Sequence, residues 1–204
     1  MLLPDNAIEL IKMQRSNYGK KNITKKYNED MENEFNQLLN FLPENCNSII
    51  DIGCGLAGVS ILLSNYYNYP ELYLIDKNEI SEKVKYGYSD NPTFYNSFEI
   101  LKKILDMNMI ENYYFIDPEN DFSDFKNIDI VISLLACGFH FPINTYFSRI
   151  FNCLSANGIF VCDIRKTEKH QIEIIKYYFK EIFEIETDNP KTTRIFARRA
   201  MCRE

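Results

Sequence analysis

Ser48-Ile49-Ile50-Asp51-Ile52-Gly53-Cys54-Gly55-Leu56-Ala57-Gly58 is a short apolar run that carries one acid and then breaks into closely spaced glycines. It reads as a strand ending in a nucleotide-binding turn, because glycine tolerates a tight backbone and lets a ligand approach it closely. Gly53, Gly55 and Gly58 also spell G-x-G-x-x-G, the pattern of dinucleotide sites. Asp51 lies just before the first glycine, and Asp76 ends the next apolar run, Glu71-Leu72-Tyr73-Leu74-Ile75. Carboxylates at successive strand ends suit a ligand that carries a cationic amino group and a ribose.

Outward from this stretch, strands alternate with helices. Strands are expected at 48–52, 71–75, 113–116, 128–134, 158–164, 183–187 and 193–198, with helices at 59–64, 98–107, 145–154 and 169–179 between them. That alternation predicts an α/β fold, a seven-stranded, mostly parallel sheet with right-handed crossovers and helices on both faces. The runs at 128–135 and 159–162 are almost continuously apolar, as strands buried from both sides require. Asn189-Pro190-Lys191 is too short for a crossover helix, so the last two strands should form a C-terminal antiparallel β-hairpin. Ligands of such sheets bind beyond the carboxyl ends of the strands, which places 53–58, Asp76, Asp117, the segment after Leu134 and Asp163 around one crevice.

Ahead of the sheet, residues 6–42 are helical in pattern, with Ile8, Leu10 and Ile11 on one amphipathic face and Phe35, Leu38, Leu39 and Leu42 on another. The polar Tyr18-Gly19-Lys20-Lys21-Asn22 between them reads as a loop able to fold over a ligand at the strand ends. Residues 1–204 therefore read as one domain, a helical cap over 1–42 and a Rossmann-like core over 43–204. A net charge of −6 argues against a general binder of nucleic acid. The groups Lys20, Lys21, Lys25, Lys26 and Arg194, Arg198, Arg199, Arg203 read as solvated surface. Six cysteines without C-x-x-C or zinc spacing read as reduced, buried thiols. With no signal peptide and no apolar run near the roughly 18 residues of a membrane span, the expected setting is the cytosol.

At this point the chain resembles the class I S-adenosylmethionine-dependent methyltransferases over about residues 27–198. The resemblance is carried by Asp51-x-Gly53-x-Gly55-x-x-Gly58, Asp76 at the next strand end, Asp117 after the third strand, and the terminal hairpin. It implies a Rossmann-like fold and S-adenosylmethionine as cofactor, with S-adenosylhomocysteine as product and no metal. It also implies that the turn of Gly53, Cys54, Gly55 and Gly58 lies against the methionine part, with Asp51 toward the amino group. Asp76 would accept from the ribose hydroxyls, with Lys77 beside it. Asp117 and Pro118, with Leu134, would meet the adenine, Asp121 competing for that role. A nicotinamide-dependent oxidoreductase would use the same glycines, but the remaining chain is short for a second catalytic domain.

The acceptor side is expected around Ser133-Leu134-Leu135-Ala136-Cys137-Gly138-Phe139-His140-Phe141-Pro142. His140 has the intrinsic pKa of a base working near neutrality, and the competing reading is a histidine that packs and donates to a backbone carbonyl. The aromatic insert 81–97, with Tyr86, Tyr88, Phe94, Tyr95 and Asn96, suits a sugar or planar substrate, the competing reading being an aromatic lid or core cluster. Phe94-Tyr95-Asn96-Ser97 combined with Gly138-Phe139-His140-Phe141-Pro142 looks like bacterial-type small-molecule methyltransferases, some of them associated with surface-sugar synthesis. Tyr18, Tyr95, Asn96, Phe139 and Arg165 are the candidate substrate residues. A phosphate on the substrate would explain Asp163, Arg165 and Lys166 together with Arg15, Tyr18 and Lys20. The expected function is O-methylation of a sugar or nucleotide-sugar hydroxyl, by a monomer or homodimer without membrane or nucleic-acid partners. Protein or RNA methylation and a non-catalytic cofactor-binding module are the alternatives.

Overall fold

Apolar periodicity sets the elements. A computed structural model describes residues 1–15, 18, 21–82, 87–89, 93–120, 122 and 124–199. Helices α1 (Ala7–Gln14) and α2 (Ile23–Leu38) precede strand β1 (Ser48–Ile52), which leads through the glycine turn into α3 (Gly58–Tyr66) and β2 (Glu71–Ile75). Next come α4 (Phe98–Met107), β3 (Tyr113–Ile116), β4 (Ile128–Ser133), α5 (Phe147–Cys153), β5 (Leu154–Arg165), α6 (His170–Tyr178), β6 (Glu181–Glu186) and β7 (Thr192–Arg198). The strands form one seven-stranded sheet in the order β3-β2-β1-β4-β5-β7-β6. The pairs from β3 to β5 are parallel, and β7 runs antiparallel to both β5 and β6.

Successive strand residues point to opposite faces, so the near-continuous apolar runs feed two cores. Ile49, Leu74, Ile130, Ile132 and Val161 pack with α1 to α4 on one face. Ile50, Ile52, Val131, Phe160 and Cys162 pack with α5 and α6 on the other. All five described cysteines are free and buried, and Cys202 lies outside the described residues, as does Arg203. Among the described residues no helix is long and apolar enough to cross a membrane.

Several boundaries differ from the sequence expectation, β6 beginning at Glu181 rather than at 183, and two of the differences have a clear cause. β5 begins at Leu154 rather than at 158, because Leu154 pairs with Ile128 across an irregularity in the ladder and carries Ser155, Ala156 and Asn157 along, the last two exposed. The helix expected at 145–154 divides into a 3-10 turn at Ile143–Thr145 and α5.

The cap is fixed to the sheet by a buried charge cluster that composition did not disclose. In the β5–β7 register Asp163 stands opposite Arg194, and both are fully buried. Arg194 donates from Nε to Asp163 Oδ1 at 2.8 Å and from Nη2 to Oδ2 at 3.0 Å, a bidentate pair. Its Nη2 also donates to Glu34 of α2 at 2.5 Å, and Nη1 to Gln37 at 3.3 Å. Arg194 is thus not solvated surface, and Asp163 is not at the crevice rim. Arg198 and Arg199 are also committed, to the carbonyl oxygens of Phe41 and Leu154 at 2.8 and 2.9 Å.

Candidate functional site

Beyond the carboxyl ends of β1 and β2 the backbone turns through left-handed conformations at Gly53 (φ 75°), Gly55 (φ 53°) and Ala57 (φ 54°). The turn is held by the neighbouring strand: the Gly53 and Cys54 N–H groups donate to the Ile75 carbonyl at 2.8 and 3.3 Å. Asp76 then closes it. Its Oδ2 accepts the Gly55 N–H and its Oδ1 the Lys77 N–H, both at 2.8 Å. On the far side Asn96 donates from Nδ2 to the Gly55 carbonyl at 2.8 Å. Each Asp76 oxygen keeps a lone pair for a further donor.

Burial pushes the Asp76 carboxyl up to about 6, against the N–H groups of Gly55 and Lys77 and the Asn96 amide. Asp51 is pushed further, to about 7: burial raises it, the Ser60 hydroxyl donating at 2.5 Å opposes, and the Asp76 charge adds to the rise. Both acids therefore favour an arriving cation or hydroxyl donor. The Cys54 thiol between them is pushed well up by burial and by the same two acids, so it is no nucleophile.

Gly58 has a different job from the other two glycines. A Cβ there would lie 2.5 Å from Met31 Sδ and 2.9 Å from Tyr27 Oη, so this glycine lets α2 seat on α3. Lys77 ion-pairs with Asp117 at 3.4 Å and Glu119 at 2.6 Å, joining the ends of β2 and β3. Asp117 also accepts the Glu119 N–H at 2.8 Å, and its carbonyl accepts that of Asn120, so Asp117 and Pro118 form a turn. Leu134 is half-buried and packs on the cap-side core.

The loop after β4 is tightly tied. Ser133 donates to the Ile52 carbonyl and accepts the Cys137 N–H, both at 2.9 Å, and the buried Gln171 accepts the Ile143 N–H at 2.7 Å. Arg165 donates from Nε to the Phe139 carbonyl at 2.8 Å and lies 4.0 Å over the Phe139 ring. His140 Nδ1 is 3.0 Å from the Gly87 carbonyl oxygen, so Nδ1 carries the proton and Nε2 is the acceptor nitrogen. Burial pushes its pKa below the ordinary value, the Gly87 carbonyl works against that, and Arg165 adds to the lowering.

Of the other candidates, Tyr18 is buried and donates to Asp30 of α2, beneath the Lys26 ammonium. Tyr95 bridges to Ile80, and its carbonyl faces Gln14 Nε2 at 3.5 Å. Asn96 serves the glycine turn. Lys166 pairs with Glu186, which, with Asp163 buried, disperses the set expected to meet a phosphate. Lys20, Tyr86 and Asp121 lie outside the described residues. Ser60, Tyr27 and Gln14 carried no signal in the sequence, since each meets the turn only through the packing of its helix. Among the described residues no group of His, Cys, Asp and Glu side chains is gathered for a metal ion.

This architecture is a Rossmann-like fold that solved methyltransferases share. The chain is similar to magnesium protoporphyrin IX methyltransferase from Synechocystis, solved with bound SAM, at 18% identity and a TM-score of 0.58 over 98% of this chain and 99% of that one. It is similar to a methyltransferase from Pyrococcus furiosus at 12% identity and a TM-score of 0.58, over 97% of this chain and 100% of that one. A precorrin-6y C5,15-methyltransferase from Geobacter metallireducens gives 15% and 0.56, over 80% and 86%. No protein-family model and no curated protein matches the sequence. At these identities the likeness establishes the fold.

Proposed function

We propose that the chain is an S-adenosylmethionine-dependent methyltransferase of a small molecule, with O-methylation of a sugar or nucleotide-sugar hydroxyl as its reaction. The donor half of this reading is carried by the Gly53–Gly55 turn bonded to the Asp76 carboxylate at the strand ends. The residues fit such a donor. A Cβ on Gly53 would fall 2.4 Å from that of Ala136, so only glycine gives this cradle. The spare acceptor sites of Asp76 suit the two hydroxyls of a ribose, and the buried Asp51 suits an ammonium group. Lys77 and Asp117, tied to each other, would form the adenine end with Pro118 and Leu134.

Bound there, the cofactor supplies a methyl group on a positively charged sulfur. His140 supplies the base. With Nδ1 fixed by the Gly87 carbonyl and its pKa lowered, the ring is neutral near pH 7 and presents Nε2 to an acceptor hydroxyl. His140 Nε2 would take the proton of that hydroxyl as its oxygen is methylated, the donor's sulfur leaving neutral. Arg165 holds the Phe139 carbonyl and covers the ring of this buried residue, which stiffens the loop that carries His140. Tyr95, half-buried, would offer an aromatic face to a sugar.

The test is incubation with methyl-labelled S-adenosylmethionine and size-fractionated cell extract. Label in the small-molecule fraction is the expected result. Label in protein or RNA overturns the small-molecule reading, and tight donor binding with no labelled product points to a non-catalytic module.

A further inference from the structure

Arg165 is the last residue of β5, at the end of the strand that faces the crevice, and its contacts fix where its side chain lies. Its backbone N–H donates to the Gly138 carbonyl at 3.1 Å, its Nε donates to the Phe139 carbonyl at 2.8 Å, and its guanidinium covers the Phe139 ring at 4.0 Å. Those contacts use Nε and one face. Nη1 and Nη2 enter no hydrogen bond or ion pair among the described residues, although the side chain is half-buried. The nearby cations Arg194 and Lys166 are answered, the first by Asp163 and Glu34 and the second by Glu186. Glu168, the acid that acts on Arg165 through space, accepts from the Thr167 hydroxyl and faces His170 instead. A partly desolvated guanidinium favours an anion, and the described residues do not supply one.

The guanidinium lies close to the proposed base. The Phe139 ring that Arg165 covers meets the His140 ring edge-to-face at 4.9 Å, so one aromatic ring joins guanidinium and imidazole. The Arg165 charge also adds to the lowering of the His140 pKa, as a cation near the ring must. We infer that Arg165 reads an anionic oxygen group, a carboxylate or a phosphate, carried by the acceptor molecule near the hydroxyl that His140 receives. The two Nη atoms give such a group parallel N–H donors, whereas a neutral sugar would desolvate the guanidinium without pairing its charge. The acceptor is thereby narrowed from sugars at large to sugar acids and sugar phosphates. The inference rests on the reading of His140 and of the donor turn given above. It assigns Arg165 two tasks through different atoms: Nε stiffens the loop, and the Nη atoms select what the loop receives.

Anion exchange at neutral pH of the small molecules that the full chain labels in cell extract tests it. Retained label is the expected result, and treatment with phosphodiesterase and phosphatase then tells the two sources apart. Label that no longer binds the exchanger marks a phosphate, and label that still binds marks a carboxylate. Unretained label overturns the inference while methyl transfer to a small molecule stands; no label in any small molecule overturns the reading on which it rests. The retained fraction then serves as acceptor for two variants. Arg165→Gln, which keeps an amide donor but no charge, should raise KM for that fraction on the order of tenfold to a hundredfold, as the loss of charge-assisted hydrogen bonds does. Affinity for S-adenosylhomocysteine should stay the same, and Arg165→Lys should recover part of the loss. A fall in kcat alone, or equal losses for both variants, would leave Arg165 only a brace for the loop and overturns the inference.

Discussion

Asp51 and Asp76 combine burial with only partial hydrogen bonding, and a pH dependence follows. In the unfolded chain both carboxyls ionise near pH 4, whereas folded they hold their protons to about 7 and about 6. The folded protein therefore binds more protons than the unfolded chain between these limits. Their contribution to stability is complete below about pH 4 and is lost as the pH rises through 6 and 7. Melting temperature of the ligand-free protein should fall over that range, and Asp51→Asn, which cannot ionise, should flatten the fall; an unaltered slope counts against the assignment. Asp76→Ala should weaken S-adenosylmethionine binding by about 1–3 kcal/mol, read by calorimetry, since ribose donors and the Gly55 N–H both lose their acceptor. His140→Asn keeps a donor for Gly87 and removes the proposed base, so turnover should drop while donor affinity holds. Full activity would leave the ring only its anchoring role. Asp51, Gly53, Gly55 and Asp76 were legible because an acid inside an apolar run and glycines at its end act within a few residues of chain. Asn96 and Gln14 were not, because each reaches Gly55 from a distant segment, Asn96 across 41 positions.

At the scale of elements, β1, β2 and β3 were legible to the residue, since short apolar runs between polar turns admit one reading. β5 was not: the Ser155-Ala156-Asn157 stretch hides a start that only pairing with Ile128 creates. Gly58 shows the same limit in the other direction. Its place in a nucleotide fingerprint assigned it to the ligand, and helix packing assigns it to Met31 and Tyr27. Gly58→Ala should therefore lower stability by about 1–3 kcal/mol, the cost of overpacking a filled contact. It should leave the affinity for methylthioadenosine little changed. Thermal melting and calorimetry on one preparation separate the two effects, and a loss of binding without a loss of stability would return Gly58 to the ligand.

Across the whole molecule, the Arg194–Asp163–Glu34 cluster ties cap to sheet, and no local pattern disclosed it, because it arises from strand register. Removing one buried partner leaves an uncompensated charge, so Asp163→Ala should cost about 3–5 kcal/mol in denaturant unfolding. Replacing Asp163 and Arg194 together with leucine and methionine should cost much less. Equal losses would mean that the ion pair itself, rather than its completeness, stabilises the fold. Glu34 and Arg194 stand 160 positions apart in the chain. Until β7 has added to the sheet, α2 lacks this charged tie and is held by its packing on α3 through Tyr27 and Met31. The tie itself can form only once β7 has joined the sheet, so the final seating of α2 waits on the last strand. In pulse-labelling hydrogen exchange during refolding, the α2 amides should gain protection no sooner than those of β7, making the late strand a timer for when the crevice becomes competent.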